Sequence, residues 1–195
     1  MRIRNVVGLD LSLTSSGVAA LSLDTGMTRL ERVRTTGEKD AALEQVLARI
    51  DTARRGIVAH VPLARCLVVV EAPSHGSRFG KPHERAGLWW QVVTELHQRG
   101  HVIAQVFPRT RAKYAAGHLP VADPRKGPSK KEVVAATQAD FPHLGITNAD
   151  IADALSVARM GARHLGSPTD PSTPQRVQAM AAVRWPETPT EGMNE

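Results

Sequence analysis

Four carboxylates in this 195-residue chain stand where a charge is costly unless something compensates it. Asp10 closes the apolar, β-branched run Ile3–Asp10, and Glu71 closes the continuous run Leu67-Val-Val-Val-Glu71. If those two strands lie side by side and parallel, both acids arrive at one sheet edge, the place where α/β sheets host chemistry. Asp150 and Asp153 lie three apart in Asn148-Ala-Asp-Ile-Ala-Asp-Ala-Leu, so they share one helix face. The helix dipole is by itself a sufficient reason for acids in a first turn. All four converging on one point would raise each other's pKa unless a cation intervened. An oxygen-only donor set, in a chain with one cysteine and no paired histidines, suits Mg²⁺ or Mn²⁺ rather than zinc. Two such ions can activate a water and stabilise the leaving oxygen in phosphodiester hydrolysis.

The distribution of positive charge points the same way. Between Gly76 and Lys131 eleven Lys and Arg face three acids, an excess of +8 within a chain whose total is +6. A concentration of this kind fits a polyanionic partner, because phosphate neutralisation supplies most nonspecific nucleic-acid affinity. The stretch includes Arg78, Lys81, Arg109, Arg111, Lys113, Lys126, Lys130 and Lys131, the candidate DNA contacts. A basic region beside an acidic metal site is the charge pattern a nuclease needs. The single cysteine, Cys66, excludes an internal disulfide and reads as a small core residue beside Leu67–Val70. No apolar run approaches the ~20 residues that span a bilayer, and the N-terminus enters a strand without a signal-peptide pattern. The expectation is a soluble, cytoplasmic protein with no membrane partner.

The elements that must position these residues follow from periodicity. Ile3–Asp10, Val18–Leu23 and a strand around Met27–Arg34 form a meander, with Asp24-Thr25-Gly26 as the hairpin turn. Leu43, Val46, Leu47, Ile50 and Ile57 fall at helical spacing between Asp40 and about Val58. Leu67–Glu71 is a fourth strand, Glu84–Arg99 a helix ended by Gly100, and Val102–Phe107 a fifth strand. Pro108–Pro128, with Pro120, Pro124 and Gly127, reads as a long basic segment that is loop over part of its length. Lys130–Asp140 and Asn148–Leu165 are helices, the second with Asn148 as its N-cap. Gly17 is expected to permit a tight hairpin or a positive φ. The whole is an α/β fold: a mixed five-stranded sheet, a three-strand meander plus two parallel strands, with helices on both faces. Residues 1–165 form one domain. Residues 166–195 read as a proline-rich linker, a short helix near Gln175–Val183 and a disordered acidic tail outside the catalytic core, a candidate handle for a protein partner.

These motifs carry a resemblance. Val6-Val-Gly-Leu-Asp10-Leu-Ser-Leu-Thr-Ser-Ser-Gly17-Val-Ala resembles the opening motif of the RuvC-type Holliday junction resolvases, and Leu67–Glu71 resembles their second acidic strand. Phe107-Pro108, Lys113 and Gly127-Pro-Ser-Lys130-Lys-Glu-Val resemble their basic segment leading into a helix. Ala149-Asp150-Ile-Ala-Asp153-Ala-Leu is similar to their closing acidic motif. The similarity runs over about residues 1–165, and compact members of that family occur in bacteriophages. It implies a ribonuclease H-like fold, a homodimer, and paired symmetric nicks across a four-way DNA junction. It also implies that Asp10 bridges two Mg²⁺ or Mn²⁺ ions, with Glu71, Asp150 and Asp153 completing their shells. By the same resemblance Lys113 and Lys130 contact scissile phosphates, Lys130 counting among the catalytic residues and Lys131 standing one register away. The chain departs from the family at Ser74, where members often carry an aromatic wedge, with His75 and Phe79 as nearby substitutes. His118–Lys126 looks like an insertion.

Other residues have plainer readings. Of Trp89 and Trp90, on an apolar helix face, at least one belongs in the core rather than against a base. Leu88, Trp89, Val92 and Leu96 offer apolar surface for both core and dimer interface, and Trp185 is a candidate dock for the short helix. Three other functions compete. An actin-like or sugar-kinase-type ATPase shares the Gly-Leu-Asp-Leu-Ser opening but needs a second phosphate loop and a longer chain. A catalytically dead binding module would not need all four acids. A nuclease for flaps or replication intermediates is the nearest rival, because of Ser74.

Overall fold

The computed structural model describes residues 2–73, 81–117 and 127–187. Arg78, Lys126, Ser74, His75, Phe79 and the acidic end after Glu187 lie outside the described residues.

Strands β1 (Asn5–Asp10), β2 (Ser15–Ser22) and β3 (Thr28–Arg34) form the antiparallel meander. Strands β4 (Cys66–Glu71) and β5 (Val102–Val106) run parallel to β1, giving the order β3-β2-β1-β4-β5. Period-two alternation sorts the central strands. Val7 and Leu9 of β1 and Val68 and Val70 of β4 pack under helices α1 (Leu43–Ala59) and α2 (Pro82–Gln98). Val6 and, on β4, Leu67 and Val69 face the other layer. Asp10 and Glu71 continue the second set, so both carboxylates turn toward that layer.

That layer holds α3 (Pro108–Ala115), α4 (Lys130–Asp140), α5 (Ala149–His164) and α6 (Pro174–Ala181). Helix α5 is central to it and almost entirely buried. It rests directly on strand backbone. A Cβ on Gly8 would stand 2.0 Å from the Ala154 carbonyl oxygen, and one on Gly17 would stand 2.0 Å from that of Asp150. Gly17 is therefore a close-approach glycine within β2, not the hairpin glycine expected. Asn148 caps α5 as expected, its side chain accepting from the Asp150 amide at 2.8 Å. Ser129 and Glu132 form a reciprocal capping box that starts α4 at Lys130.

The first part of the Pro108–Pro128 segment is helix α3: proline is favoured at the first helical position, and Tyr114 and Arg111 give the helix a buried face. Two expectations need correction. Leu88, Trp89, Val92 and Leu96 are all spent on the core beneath α2, which leaves Trp90 (63% exposed), Leu43 and Leu47 as the exposed apolar side chains there. The supposed linker at 166–174 is anchored at one point. The Asp170 side chain is fully buried, accepting from Tyr114 Oη (2.9 Å) and pairing with Arg159 (2.6 Å) and Arg163 (2.6 Å). Arg176 of α6, also fully buried, donates to Asp140 at 2.5 Å and to the Pro171 carbonyl at 3.0 Å. Trp185 stacks on His164 with ring centroids 4.5 Å apart. Charge pairing joins apolar packing here: Ala179 enters the core, and Met180, Val183 and Trp185 lie against it. Among the described residues no helix is long and apolar enough to cross a membrane.

Candidate active site

The sheet register brings the first two acids together. Leu9 pairs with Val70 across the parallel β1–β4 ladder, so Asp10 and Glu71 emerge as neighbours at its C-terminal end. Helix α5 crosses that end with its first turn, and supplies Asp150 and Asp153. The Gly17 contact fixes how close that turn can come.

The four carboxylates have different surroundings. Asp10 is pushed up to about 8, first by burial and then by the charges of Glu71 and Asp153. Among the described residues no donor is paired with its carboxylate. Asp153 is pushed up to about 6, chiefly by burial, while Arg111 pulls against that rise. Asp150 sits nearer the rim. Its Oδ2 accepts from Ser15 Oγ at 2.5 Å and from Arg32 Nε at 3.1 Å, and Arg32 Nε also reaches Ser15 Oγ at 2.6 Å. Glu71 is held on two sides: its carbonyl accepts from Trp89 Nε1 at 2.9 Å and its carboxylate from Arg111 Nε at 2.6 Å. A narrow cleft lined by Asp10, Leu11, Glu71, Ala72, Pro73, Arg85 and Trp89 opens at this point. A larger cavity of about 180 Å³ lies beside α1, lined in part by Arg49, Lys81 and Glu84, away from the acids.

Arg111 departs most from its expected place. It was expected to contact DNA phosphate; instead its side chain is 8% exposed and bridges Glu71 and Asp153. The cause is topological. Glu71 pairs with Val106 at the end of β5, and α3 begins two residues later, so its first turn leans back over the acids.

Lys113, two residues on, projects to the other side of α3 and donates to Gln178 Oε1 of α6 at 2.5 Å. Lys130 opens α4 on the surface, near enough to Asp153 to draw its pKa down. Lys131 and Arg109 are exposed. Lys81 takes a left-handed conformation at the N-cap of α2, and its Nζ donates to the Glu38 carbonyl at 3.3 Å. Trp89 is the buried tryptophan of the pair. Ser15, Arg32 and Arg85 were not anticipated. The hairpin register, with Gly17 opposite Arg32, is the signal that could have found Arg32.

The donor set, carboxylate oxygens at a sheet edge, fits hard divalent cations. The spacing is another matter. Among the described residues no three His, Cys, Asp or Glu side chains are drawn together closely enough to hold a metal ion as they stand. Arg111 lies among them.

No family model and no curated protein matches the sequence. Solved structures do. The chain is similar to RuvC of Thermus thermophilus in complex with a Holliday junction substrate, at 18% identity and a TM-score of 0.53, over 85% of this chain and 98% of that one. A second structure of Thermus thermophilus RuvC matches at 20% identity and a TM-score of 0.55, over 84% and 97% of the two chains. At that identity the likeness establishes a shared fold, the mixed five-stranded sheet with helices on both faces.

Proposed function

We propose that this chain is a divalent-metal-dependent, structure-selective DNA endonuclease that resolves four-way junctions by paired symmetric nicks. The observation that carries the reading is the convergence of Asp10, Glu71, Asp150 and Asp153 where β1, β4 and α5 meet. That convergence occurs on a fold shared with a resolvase whose structure was determined with junction DNA. Asp10, for which no donor is seen among the described residues, would hold the Mg²⁺ or Mn²⁺ ions together with Glu71, Asp150 and Asp153. Bound there, such ions would supply charge to activate a water and to stabilise the leaving oxygen.

The chain's own residues do the rest. Ser15 and Arg32 orient the Asp150 carboxylate, and the Trp89 bond fixes the backbone of Glu71. Lys130, beside Asp153 at the exposed start of α4, would meet a scissile phosphate, with Lys131 and Arg109 along the backbone. Two nicks placed by two-fold symmetry call for two active sites facing one way, which a homodimer supplies.

The test is cleavage of four-way, flap and linear duplex DNA at one salt concentration in Mg²⁺ and in Mn²⁺, with the mass of the enzyme in solution measured alongside. Paired nicks in four-way DNA by a dimer support the reading. A preference for flaps would reassign the substrate to other branched DNA, and full activity in excess EDTA would overturn the metal chemistry.

A further inference from the structure

Among the described residues, Arg32 and Arg111 are the guanidinium groups paired with these four carboxylates, and they are unevenly matched. Arg32 serves Asp150, which is partly open to solvent. Arg111 serves both Glu71 and Asp153 from a position nearly sealed from water. A buried guanidinium bridging two carboxylates is costly to desolvate, and it persists only because each charge answers the other. Its placement is not an accident of a flexible surface chain. The Arg111 amide donates to the Phe107 carbonyl in the first turn of α3, and Tyr114 on the same helix is locked beneath Asp170. The guanidinium lies between Glu71 and Asp153, two of the carboxylates that would hold the ions.

We propose that Arg111 is an internal counter-ion that holds Glu71 and Asp153 in the absence of a divalent ion, and that a divalent ion enters the site by displacing it. This rests on the metal-nuclease reading above and adds a requirement to it. Metal and guanidinium compete for the same two carboxylates. Arg111 thereby lets the protein fold with its acids compensated, and it sets how strongly a cation must bind to assemble the centre.

The experiment is Mn²⁺ binding to the full chain without DNA, by calorimetry and by the paramagnetic resonance of free Mn²⁺. Wild type is compared with Arg111→Gln, Arg111→Lys and Asp10→Asn, and each is melted with and without Mn²⁺. Removing one opposing unit charge at contact distance should tighten Mn²⁺ binding by at least about tenfold. Mn²⁺ should then raise the melting temperature of Arg111→Gln by more than that of wild type. Arg111→Lys, which keeps the charge but cannot bridge two carboxylates in the same way, should fall between them. If Arg111→Gln does not fold without metal, the lysine variant is decisive: tighter binding than wild type supports the displacement, and equal or weaker binding overturns it. Equal or weaker Mn²⁺ affinity in a folded Arg111→Gln overturns it as well, while a loss of binding in Asp10→Asn leaves the metal site itself standing. Failure of wild type and every variant to bind Mn²⁺ would sink the metal-nuclease reading, and this inference with it.

Discussion

Trp89 Nε1 donates to the main-chain carbonyl of Glu71 at 2.9 Å, joining the core of α2 to the strand end whose carboxylate enters the cleft. The indole is thus both packing and a positional constraint. Trp89→Phe keeps most of the buried volume and removes the bond, so it should cost about 1 kcal/mol of stability. Cleavage should fall by about tenfold or more as Glu71 loses its register. Denaturant melts and single-turnover rates measured side by side would check this, and an unchanged rate would confine Trp89 to packing.

Asp10 predicts a pH dependence for the metal-free protein. Folding pushes its carboxyl from 3.8 up to about 8, and that of Asp153 up to about 6. Between the unfolded and folded values the folded state holds more protons than the unfolded chain, so stability falls as pH rises. The melting temperature in EDTA should therefore drop from about pH 4 to about pH 8 and then level off. Asp10→Asn should flatten that drop, and it should abolish cleavage while leaving DNA binding near wild type. A melting temperature in EDTA that climbs over this range in wild type would contradict the burial assigned to Asp10.

Lys130 and Lys113 should separate in their salt dependence. Lys130 stands at the exposed start of α4 near Asp153, whereas Lys113 is turned toward Gln178. Lys130→Ala should flatten the slope of log K against log salt by about 1, the loss of one phosphate contact. Lys113→Ala should leave it unchanged. Filter-binding titrations across a salt series on one junction would show the difference, and equal slopes for both variants would remove Lys130 from the interface.

The packed C-terminal segment reverses an expectation drawn from sequence. A chain ending at Gly166 lacks Asp170 and Arg176, and so strips buried Arg159 of one of its two carboxylate partners. Breaking such a pair from one side should cost about 3 kcal/mol or more. The truncated chain should be insoluble or molten, and Asp170→Asn in the full chain should melt well below wild type. A truncated chain with an undiminished melting temperature would show the network to be dispensable.

The strands, the two helices under the sheet and the acidic helix were legible because their apolar spacing is uninterrupted and Asn148 is an unambiguous cap. Helix α3 was not, because Pro108 and a run of basic residues read as loop, although proline at a first helical position starts a helix as readily as it ends one. Arg111 was found as a residue and misplaced as a contact. Its charge suits phosphate and carboxylate equally, and only the adjacency of β5 and β4 decides between them. The ionic network of Arg159, Arg163, Arg176, Asp140 and Asp170 has no periodic signature at all. Charged residues scattered over three helices and a turn look like surface until the chain is folded.

The same network has a consequence for how the protein is made. Helices α3, α4 and α5 bear on the acidic cleft through Arg111, Lys130, Asp150 and Asp153, and all three are tied to Asp170 or Arg176. A ribosome must therefore release the chain beyond Arg176 before these helices can settle against β1 and β4. Until then the nascent polypeptide carries every acid of the cleft without the ion pairs that hold the cleft's helices together.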